Sequence, residues 1–339
     1  MLKPALRALV LPAMFVVMSA AAGCGGEPPP LYGDTPVKPG GSAPLDCSNP
    51  CKCAERSAPD FSREMSGKLA PGSDEAQKTA LIRANHWRTA AGIAAIDANE
   101  KIQQAAMAHA SFMAANDRAK CWPGAHDENL SCKGATGQWP WDRMSAAGYE
   151  WAGASEVIDW EPDAQRAVDG WMWTVYHRQP FMDYGMLETG FGYSDGGGKQ
   201  NNVMDFGIAK GASAKAPEKP AVFPLPGQTE VPIAFSGAES PQPPAPMGTG
   251  WPSGQIVSMH FPTKTWTVTE HHLYSNAGSA CMELPHTYID RTNDDNLKDA
   301  NDIFFYANMP LNNGTEYVAQ VTGTMNGASF TRTWAFRTH

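Results

Sequence analysis

The apolar periodicity of the chain changes once, near residue 210. Before that point, apolar residues recur at helical spacing in several segments between residues 73 and 173. Two apolar runs follow, 187–193 and 202–209, and they can pair as a hairpin across a Gly-rich turn. Beyond residue 210, short runs alternate apolar and polar residues, and Gly, Pro and Asn separate them. This order predicts an α+β domain followed by an antiparallel all-β sandwich.

The ends of the helices are also encoded locally. Ser73 precedes Asp74 and Glu75, the composition of an N-cap and first turn, and Gly92 ends the run. A second helix is predicted from about Asp97. Two further helices are expected at 141–147 and 163–173.

The N-terminus has the layout of an export signal. Lys3 and Arg7 are followed by an apolar stretch, 8–20, that is too short to span a membrane comfortably. The residues Ala-Ala-Gly-Cys that end at Cys24 resemble a lipobox, in which the signal is cut before the cysteine and the thiol carries lipid. Ala21 stands where Leu is usual in that motif. Ordinary cleavage near the Ala-rich stretch, which would leave a soluble protein, is the alternative.

The segment after Cys24 indicates where the protein resides. Residues 25–30 are Gly- and Pro-rich, as expected of a flexible tether behind an anchor. Gly25 rather than Asp follows the cysteine, and in this resemblance that residue indicates outer-membrane retention. We therefore expect an exported protein of the cell envelope or the extracellular space, with the envelope membrane as a partner through the lipid.

The charge of the chain excludes one class of partner. It carries 26 basic and 35 acidic residues, a net charge of −9. No basic patch is present that could neutralise a phosphate backbone. Nucleic acid is not an expected partner.

Six cysteines remain after Cys24, and an even number in an oxidising compartment predicts disulfides. Cys121 and Cys132 bracket a short loop and are predicted to pair. The odd cluster of Cys47, Cys51 and Cys53 leaves one member that can reach Cys281. A zinc site is the rival interpretation, but the spacing of the cluster, without a nearby His, matches zinc patterns poorly.

These features divide the chain into five parts. They are a signal peptide (1–23), a lipid anchor with a Pro/Gly-rich tether (24–70), an α+β domain (71–210), a linker (211–221) and a β-sandwich (222–339). Within the last part, the approach to Tyr317 looks like the tyrosine corner of immunoglobulin-like and fibronectin-like sandwiches.

Six short stretches of the α+β domain, in order, resemble the bacterial type of the CAP superfamily of cysteine-rich secretory, antigen 5 and pathogenesis-related proteins. They are Ala105–Ala114, Trp141–Tyr149, Glu156–Ile158, Ala167–Met172, Tyr176–Arg178 and Leu187–Gly192. The resemblance implies an α-β-α sandwich with a central antiparallel sheet. It also implies a surface cleft lined by two histidines and two acidic residues.

The resemblance carries four site residues onto this chain: His126, Glu156, His177 and Glu188. In eukaryotic members the second cleft acid is placed differently, and Thr174 occupies its approximate position here. Two departures from the family pattern bear on the cleft. Ser155 and Val157 flank Glu156 in place of Gly and Asn, and Tyr176 replaces the Gly before His177.

Two imidazoles and two carboxylates in a cleft can form a hydrogen-bonded network, hold a divalent metal such as zinc, or transfer protons. The sequence shows no activated nucleophile beside them, so catalysis would have to be metal-assisted hydrolysis. We assign no catalytic residue and no required cofactor. The leading hypothesis is an extracellular binding module for an apolar ligand, a peptide or a partner protein. The alternative is a metal-dependent extracellular hydrolase that acts on peptide or cell-wall material.

Other conspicuous residues have simpler interpretations. His109 lies on the apolar stripe of a helix and is expected to pack. His271 and His272 have no acidic residue at ligand spacing and are expected to be a surface pair rather than a metal site. The oxygen-rich stretch 290–296 lacks the order of a calcium loop and is expected to be a solvated turn. Aromatic residues that crowd the loops around the predicted cleft are Trp122, Trp139, Trp141 and Trp151.

Overall fold

The computed structural model describes residues 49–57, 67–196, 198–278, 280–298 and 300–339. The predicted signal peptide, the predicted lipid-anchor residue Cys24, and Cys47 lie outside the described residues. No helix in these ranges is both long and apolar enough to cross a membrane.

Seven α-helices and twelve strands are present in the described residues. The helices are α1 (Pro50–Cys53), α2 (Glu75–Ala90), α3 (Glu100–Ala115), α4 (Arg118–Cys121), α5 (Pro140–Ala146), α6 (Ala164–Met172) and α7 (Gln179–Met182). The strands are β1 (Asp97–Ala98), β2 (Trp151–Asp159), β3 (Glu188–Gly196), β4 (Lys199–Ala209), β5 (Ala221–Phe223), β6 (Val257–His260), β7 (Trp266–Ala277), β8 (Ala280–Glu283), β9 (His286–Ile289), β10 (Asp302–Ala307), β11 (Glu316–Met325) and β12 (Ala328–Arg337). A 3-10 helix covers Asp295–Leu297.

The N-terminal half is an α-β-α sandwich. Its sheet has the order β1-β3-β4-β2, and β3 and β4 form the predicted hairpin. Helix α3 packs closely against β3. The contact leaves no room for a side chain at Gly190, where a Cβ atom would come within 2.2 Å of the backbone nitrogen of Gln103. On the opposite face, α2, α6 and α7 share one apolar core with alternate residues of β2, β3 and β4. The predicted fold class is confirmed.

Two helix starts differ from the sequence-based prediction. Asp74, not Ser73, caps α2, since its carboxylate accepts from the Gln77 backbone while the Gln77 side chain accepts from the Asp74 backbone. Asp97 forms the two-residue strand β1 beside β3. Helix α3 therefore begins later, behind the N-cap Asn99, whose side chain accepts from Lys101 N and Ile102 N.

The C-terminal half contains two four-stranded sheets, β5-β6-β10-β9 and β12-β11-β7-β8. Apolar residues from both sheets form one core that includes Phe305, Tyr317 and Trp334. Tyr317 lies at the start of β11, and its hydroxyl accepts a hydrogen bond of 2.7 Å from the backbone of Asn312. The β-rich second half and the corner at Tyr317 were both predicted.

The covalent links also follow the predicted pairings. Cys121 and Cys132 are bonded, with their Cα atoms 5.8 Å apart, and Cys51 is bonded to Cys281. Cys53 is disulfide-bonded as well. Glu55 pairs with Trp334 as a parallel bridge, so the segment predicted to be a tether adds a short edge to the C-terminal half.

The two halves share buried residues. Phe223 and Leu225 pack in the core of the N-terminal half, although β5 hydrogen-bonds to β6 of the C-terminal half. The predicted linker therefore ends where this shared segment begins, at Ala221.

Candidate functional site

Three side chains from separate elements meet on the α3 face of the N-terminal sheet. Glu156 lies in the middle of β2, His126 lies in the loop closed by the Cys121–Cys132 disulfide, and Arg143 lies on α5. One carboxylate oxygen of Glu156 is 2.9 Å from Nδ1 of His126. The other accepts from the Arg143 guanidinium at 2.6 Å. The structure thus brings together two of the four predicted site residues.

The electrostatics of this site favour an ionised Glu156. Burial alone would raise its pKa, but Arg143, then His109 and His126, attract the negative charge and hold the pKa well below its ordinary value. Asp205 of β4 lies opposite Glu156 in the sheet. Burial first, and the Glu156 charge second, raise the pKa of Asp205 well above its usual range. The electrostatics of this pair therefore favour the negative charge on Glu156 rather than on Asp205.

A second buried pair supports the loop that carries His126. His109 of α3 contacts the Glu128 carboxylate through Nδ1 and the Ala125 carbonyl through Nε2, both at 2.9 Å. These two contacts tie the loop to α3. Glu128 also accepts from the backbone of Thr136 at 2.7 Å. His109 is a buried structural residue, as its position on the apolar stripe suggests.

Glu188 belongs to a different part of the surface. Its carboxylate accepts from the Asn99 amide and from the Tyr149 hydroxyl, both at 2.7 Å. Burial, together with the hydrogen bond to Glu188, raises the pKa of Tyr149. These residues line a surface cavity of about 500 Å³ with Lys101 and Lys210.

His177 pairs with an acid from the C-terminal half. Its Nδ1 is 2.9 Å from the carboxylate of Glu239. Thr174, at the position where eukaryotic members have an acid, donates its hydroxyl to the Trp171 carbonyl instead. The carboxylate beside His177 therefore comes from outside the α+β domain.

The four predicted residues thus make three separate sets of contacts. Within the described residues, no three His, Cys, Asp or Glu side chains are grouped so that they could hold a metal ion. His126 is the more solvent-exposed member of its pair with Glu156. Its side chain is 22% exposed, whereas that of Glu156 is 1% exposed.

Sequence reasoning missed four residues of these contacts: Arg143, Glu128, Asp205 and Glu239. Arg143 lies in one of the matched stretches and could have been singled out as a buried cation that needs a carboxylate. Asp205 lies within an apolar strand, where an acidic residue needs an explanation. No sequence signal connects Glu239 with His177, because they are 62 residues apart on different modules.

Ser258, His260 and Asp302 are spaced like a catalytic triad. Ser258 Oγ is 2.8 Å from His260 Nε2, and His260 Nδ1 is 2.9 Å from an Asp302 oxygen. However, Ser258 is fully buried, and its hydroxyl accepts from the Arg178 guanidinium at 2.8 Å. A buried hydroxyl that no substrate can reach cannot act as a nucleophile. This chain of hydrogen bonds instead joins the two halves of the molecule.

The histidine pair and the oxygen-rich stretch of the C-terminal half make contacts that the sequence did not suggest. His272 is 2.6 Å from the carboxylate of Glu283, and His271 is hydrogen-bonded to His286 across the sandwich at 2.8 Å. The stretch 290–296 is a turn in which most residues are exposed, but Asp290 and Asp294 are buried. Asp294 in this stretch is buried and accepts from the Tyr176 hydroxyl at 2.6 Å, because the stretch lies against the N-terminal half.

The tryptophans near the His126 site differ in exposure. Trp122 is buried in the core beneath the disulfide loop. Trp139 and Trp141 stack with ring centroids 5.8 Å apart at the start of α5. Trp151 is exposed, and its Nε1 donates to the Trp141 carbonyl. Three of the four predicted aromatic residues therefore remain accessible beside α5.

Comparison with known proteins gives a family match over the α+β domain. Residues 81–206 match the profile described as the cysteine-rich secretory protein (CAP) family. No curated protein sequence matches the chain.

Several solved structures are similar to parts of this chain. One is an extracellular protein with an SCP domain from Bacillus anthracis, at 19% identity and a TM-score of 0.35, over 43% of this chain and 45% of that one. The venom allergen-like protein 4 of Schistosoma mansoni matches at 11% identity and a TM-score of 0.29, over 43% of this chain and 98% of that one. The copper resistance protein PcoC of Escherichia coli matches at 11% identity and a TM-score of 0.24, over 36% of this chain and 100% of that one.

Proposed function

Residues 81–206 of this chain form a CAP domain of the extracellular, cysteine-rich secretory type, and from that premise we propose that the protein is an exported binding module rather than an enzyme. The proposed ligand has an apolar body and docks beside His126, against Trp139 and Trp141. Disulfides in both halves suit an oxidising compartment outside the cytoplasm.

The observation that carries this proposal is the state of Glu156. An efficient general base has a pKa near the working pH. The pKa of Glu156 lies far below that range, because Arg143 and His126 occupy both of its oxygens and outweigh the cost of burial. A carboxylate stabilised in this way is a weak base, and a guanidinium at 2.6 Å also opposes a metal cation at the same oxygen. Glu156 therefore fits a fixed polar network better than a hydrolase.

The accessible surface beside this network suits an apolar ligand. The Arg143 guanidinium donates to the backbone carbonyls of both His126 and Gln138. Since Gln138 immediately precedes Trp139, the Arg143 side chain ties the backbone of the half-buried His126 to the segment that leads into the stacked tryptophans. Aromatic walls with one polar group at their edge are typical of small-ligand sites.

Binding can be tested with the apolar fluorescent probe 1-anilinonaphthalene-8-sulfonate. We expect saturable binding to the full chain and at least a several-fold loss of affinity in Trp141→Ala and in His126→Ala. Met247→Ala is the matched control, because Met247 is an exposed apolar residue of the other half and should bind the probe like wild type. Equal affinity in all four proteins would reject this site.

The hydrolase alternative has its own readout. Cleavage of fluorescein-labelled casein, with and without added zinc chloride, should not exceed that of Glu156→Gln. Chelator-sensitive cleavage that disappears in both Glu156→Gln and His126→Ala would replace the binding module by a metal-dependent hydrolase.

We extend the proposal to the anchor at Cys24, which the lipobox-like sequence supports. In a Gram-negative host, radiolabelled palmitate should be incorporated into wild type but not into Cys24→Ser, and the variant should leave the membrane fraction. A wild-type protein that is soluble and unlabelled would refute the anchor and leave the proposed binding site untouched.

A further inference from the structure

Glu239 places its carboxylate in a site built by four donors. The backbone N–H groups of Val175, Tyr176 and His177 donate to it at 2.8, 2.7 and 2.9 Å. Nδ1 of His177 is 2.9 Å from the same carboxylate. The Glu239 side chain is 0% exposed. Three consecutive N–H groups that converge on one point form a concave site for an anion.

The segment that carries Glu239 is shaped to deliver this side chain. Gly237 has a positive φ of 77°, and a Cβ atom there would lie 2.5 Å from the Trp251 ring. Phe235, just before it, pairs with Ser253 in a backbone bridge. Only glycine lets the chain turn this close to Trp251, and this turn directs the following segment, with Glu239, toward the donors.

The balance of charge shows that the site accepts an anion. Burial would raise the pKa of Glu239, but the hydrogen bond and charge of His177, followed by the backbone donors, lower it below its ordinary value. These groups therefore offset the cost of burying an ionised carboxylate.

We propose that Val175, Tyr176 and His177 form a carboxylate-binding site of the CAP domain, and that Glu239 is the ligand with which the C-terminal half fills it. The chemical class recognised is a single carboxylate, such as that of an acidic side chain or a chain terminus. The site is separate from the one proposed around His126, and it does not depend on that function.

The test removes the Glu239 carboxylate and supplies a free carboxylate of the same size in its place. Glu239→Ala removes one CH₂ and one carboxylate, and acetate has the same four non-hydrogen atoms. We expect the full-length variant to have a lower Tm than wild type, and sodium acetate to raise that Tm by several degrees with half-saturation in the millimolar range. Sodium chloride at equal ionic strength, about 0.1 M, should have no such effect.

Two controls separate specific occupancy from a general salt effect. Pivalate carries the same charge, but it is too bulky for the space left by one CH₂ and one carboxylate, so it should not restore the Tm. Glu316→Ala removes a partly exposed carboxylate that pairs with Arg56, outside any such site, and acetate should not rescue it.

A Glu239→Ala protein whose Tm responds equally to acetate, pivalate and chloride would overturn the proposal. If the variant does not fold, the yield of folded protein after dilution from urea, with acetate or with chloride, gives the same comparison. An equal yield in both salts would also overturn it.

Discussion

At the scale of single residues, Asp159 is a carboxyl group in unfavourable surroundings. It ends β2, and its Oδ1 accepts from Asn202 at 2.9 Å and from the Glu161 backbone at 3.1 Å. Its Oδ2 is buried beside Gly170 without a hydrogen-bond partner among the described residues. Burial, which outweighs the bonds from Asn202 and Glu161, raises the pKa of Asp159 to about 7.

This raised pKa predicts how stability depends on pH. The folded state binds a proton more tightly than the unfolded state, whose carboxyl has a pKa near 3.8. Stability from this group is therefore fully present below about pH 4 and is lost as the pH rises through about 7. At about 1.4 kcal/mol per unit of pKa, the loss is at most about 4 kcal/mol.

Asp159→Asn should remove this pH-dependent loss of stability. We expect the free energy of unfolding in urea to fall less between about pH 5 and about pH 8 in the variant than in wild type. Asp195→Asn, at an exposed position of the same sheet, should keep the wild-type dependence. Parallel pH profiles for Asp159→Asn and wild type would contradict this assignment.

The residues of the candidate site were only partly predictable. Glu156 could be located because the stretch around it, Glu156–Ile158, resembles a family motif. His126 was named because it lies in the loop that precedes Trp141, as the first histidine of the family does. Asp205 and Glu239 could not, since their roles arise from strand register and from the docking of the other half. The spacing of residues along the sequence does not show which residues pair across a sheet or between modules.

At the scale of elements, prediction succeeded where one pattern dominates. Helix α6 and the β3–β4 hairpin have clear apolar periodicity, and both were placed within a few residues. Strand β2, which carries Glu156, was missed. Its residues 152–155 are Ala, Gly, Ala and Ser, and such small residues give no alternation to detect.

The disulfides show the same limit. Cys121 and Cys132 are 11 residues apart, so a bond between them closes a short loop and is the expected local pairing. Cys51 and Cys281 are 230 residues apart, and spacing alone left three candidates for the partner of Cys281. Only the packing of α1 against β11 and β12 selects Cys51.

At the scale of the whole molecule, the two halves are joined by a continuous buried interface. Trp87 and Trp173 of the CAP domain pack around Phe223, with ring centroids 5.5 and 5.0 Å from it. The Gln255 amide donates to the Trp173 carbonyl at 2.9 Å. Sequence composition marked residues 211–221 as a linker, but it could not reveal that the following strand belongs to both cores.

Arg178 is the central polar residue of this interface. Its fully buried guanidinium donates to the Met172 carbonyl at 2.6 Å and to Ser258 Oγ at 2.8 Å, and it lies 4.4 Å from the Phe223 ring centroid. Burial lowers its pKa to about 9, against the attraction of Glu239 and Asp302. It remains a cation at neutral pH, and it bonds to both halves at once.

We therefore expect the protein to unfold as one calorimetric transition, and Arg178→Ala to divide it into two. The substitution removes the donor to Ser258 and leaves Glu239 and Asp302 without a nearby buried cation, a cost of roughly 3–5 kcal/mol. Arg88→Ala is the matched control. Arg88 is equally buried, but its hydrogen bonds reach only carbonyls of the CAP domain, including Ala94 and Phe181. Its loss should lower a single transition without dividing it. Two transitions in wild type would contradict the coupling of the two halves, and the same profile in both variants would contradict the role of Arg178 in that coupling.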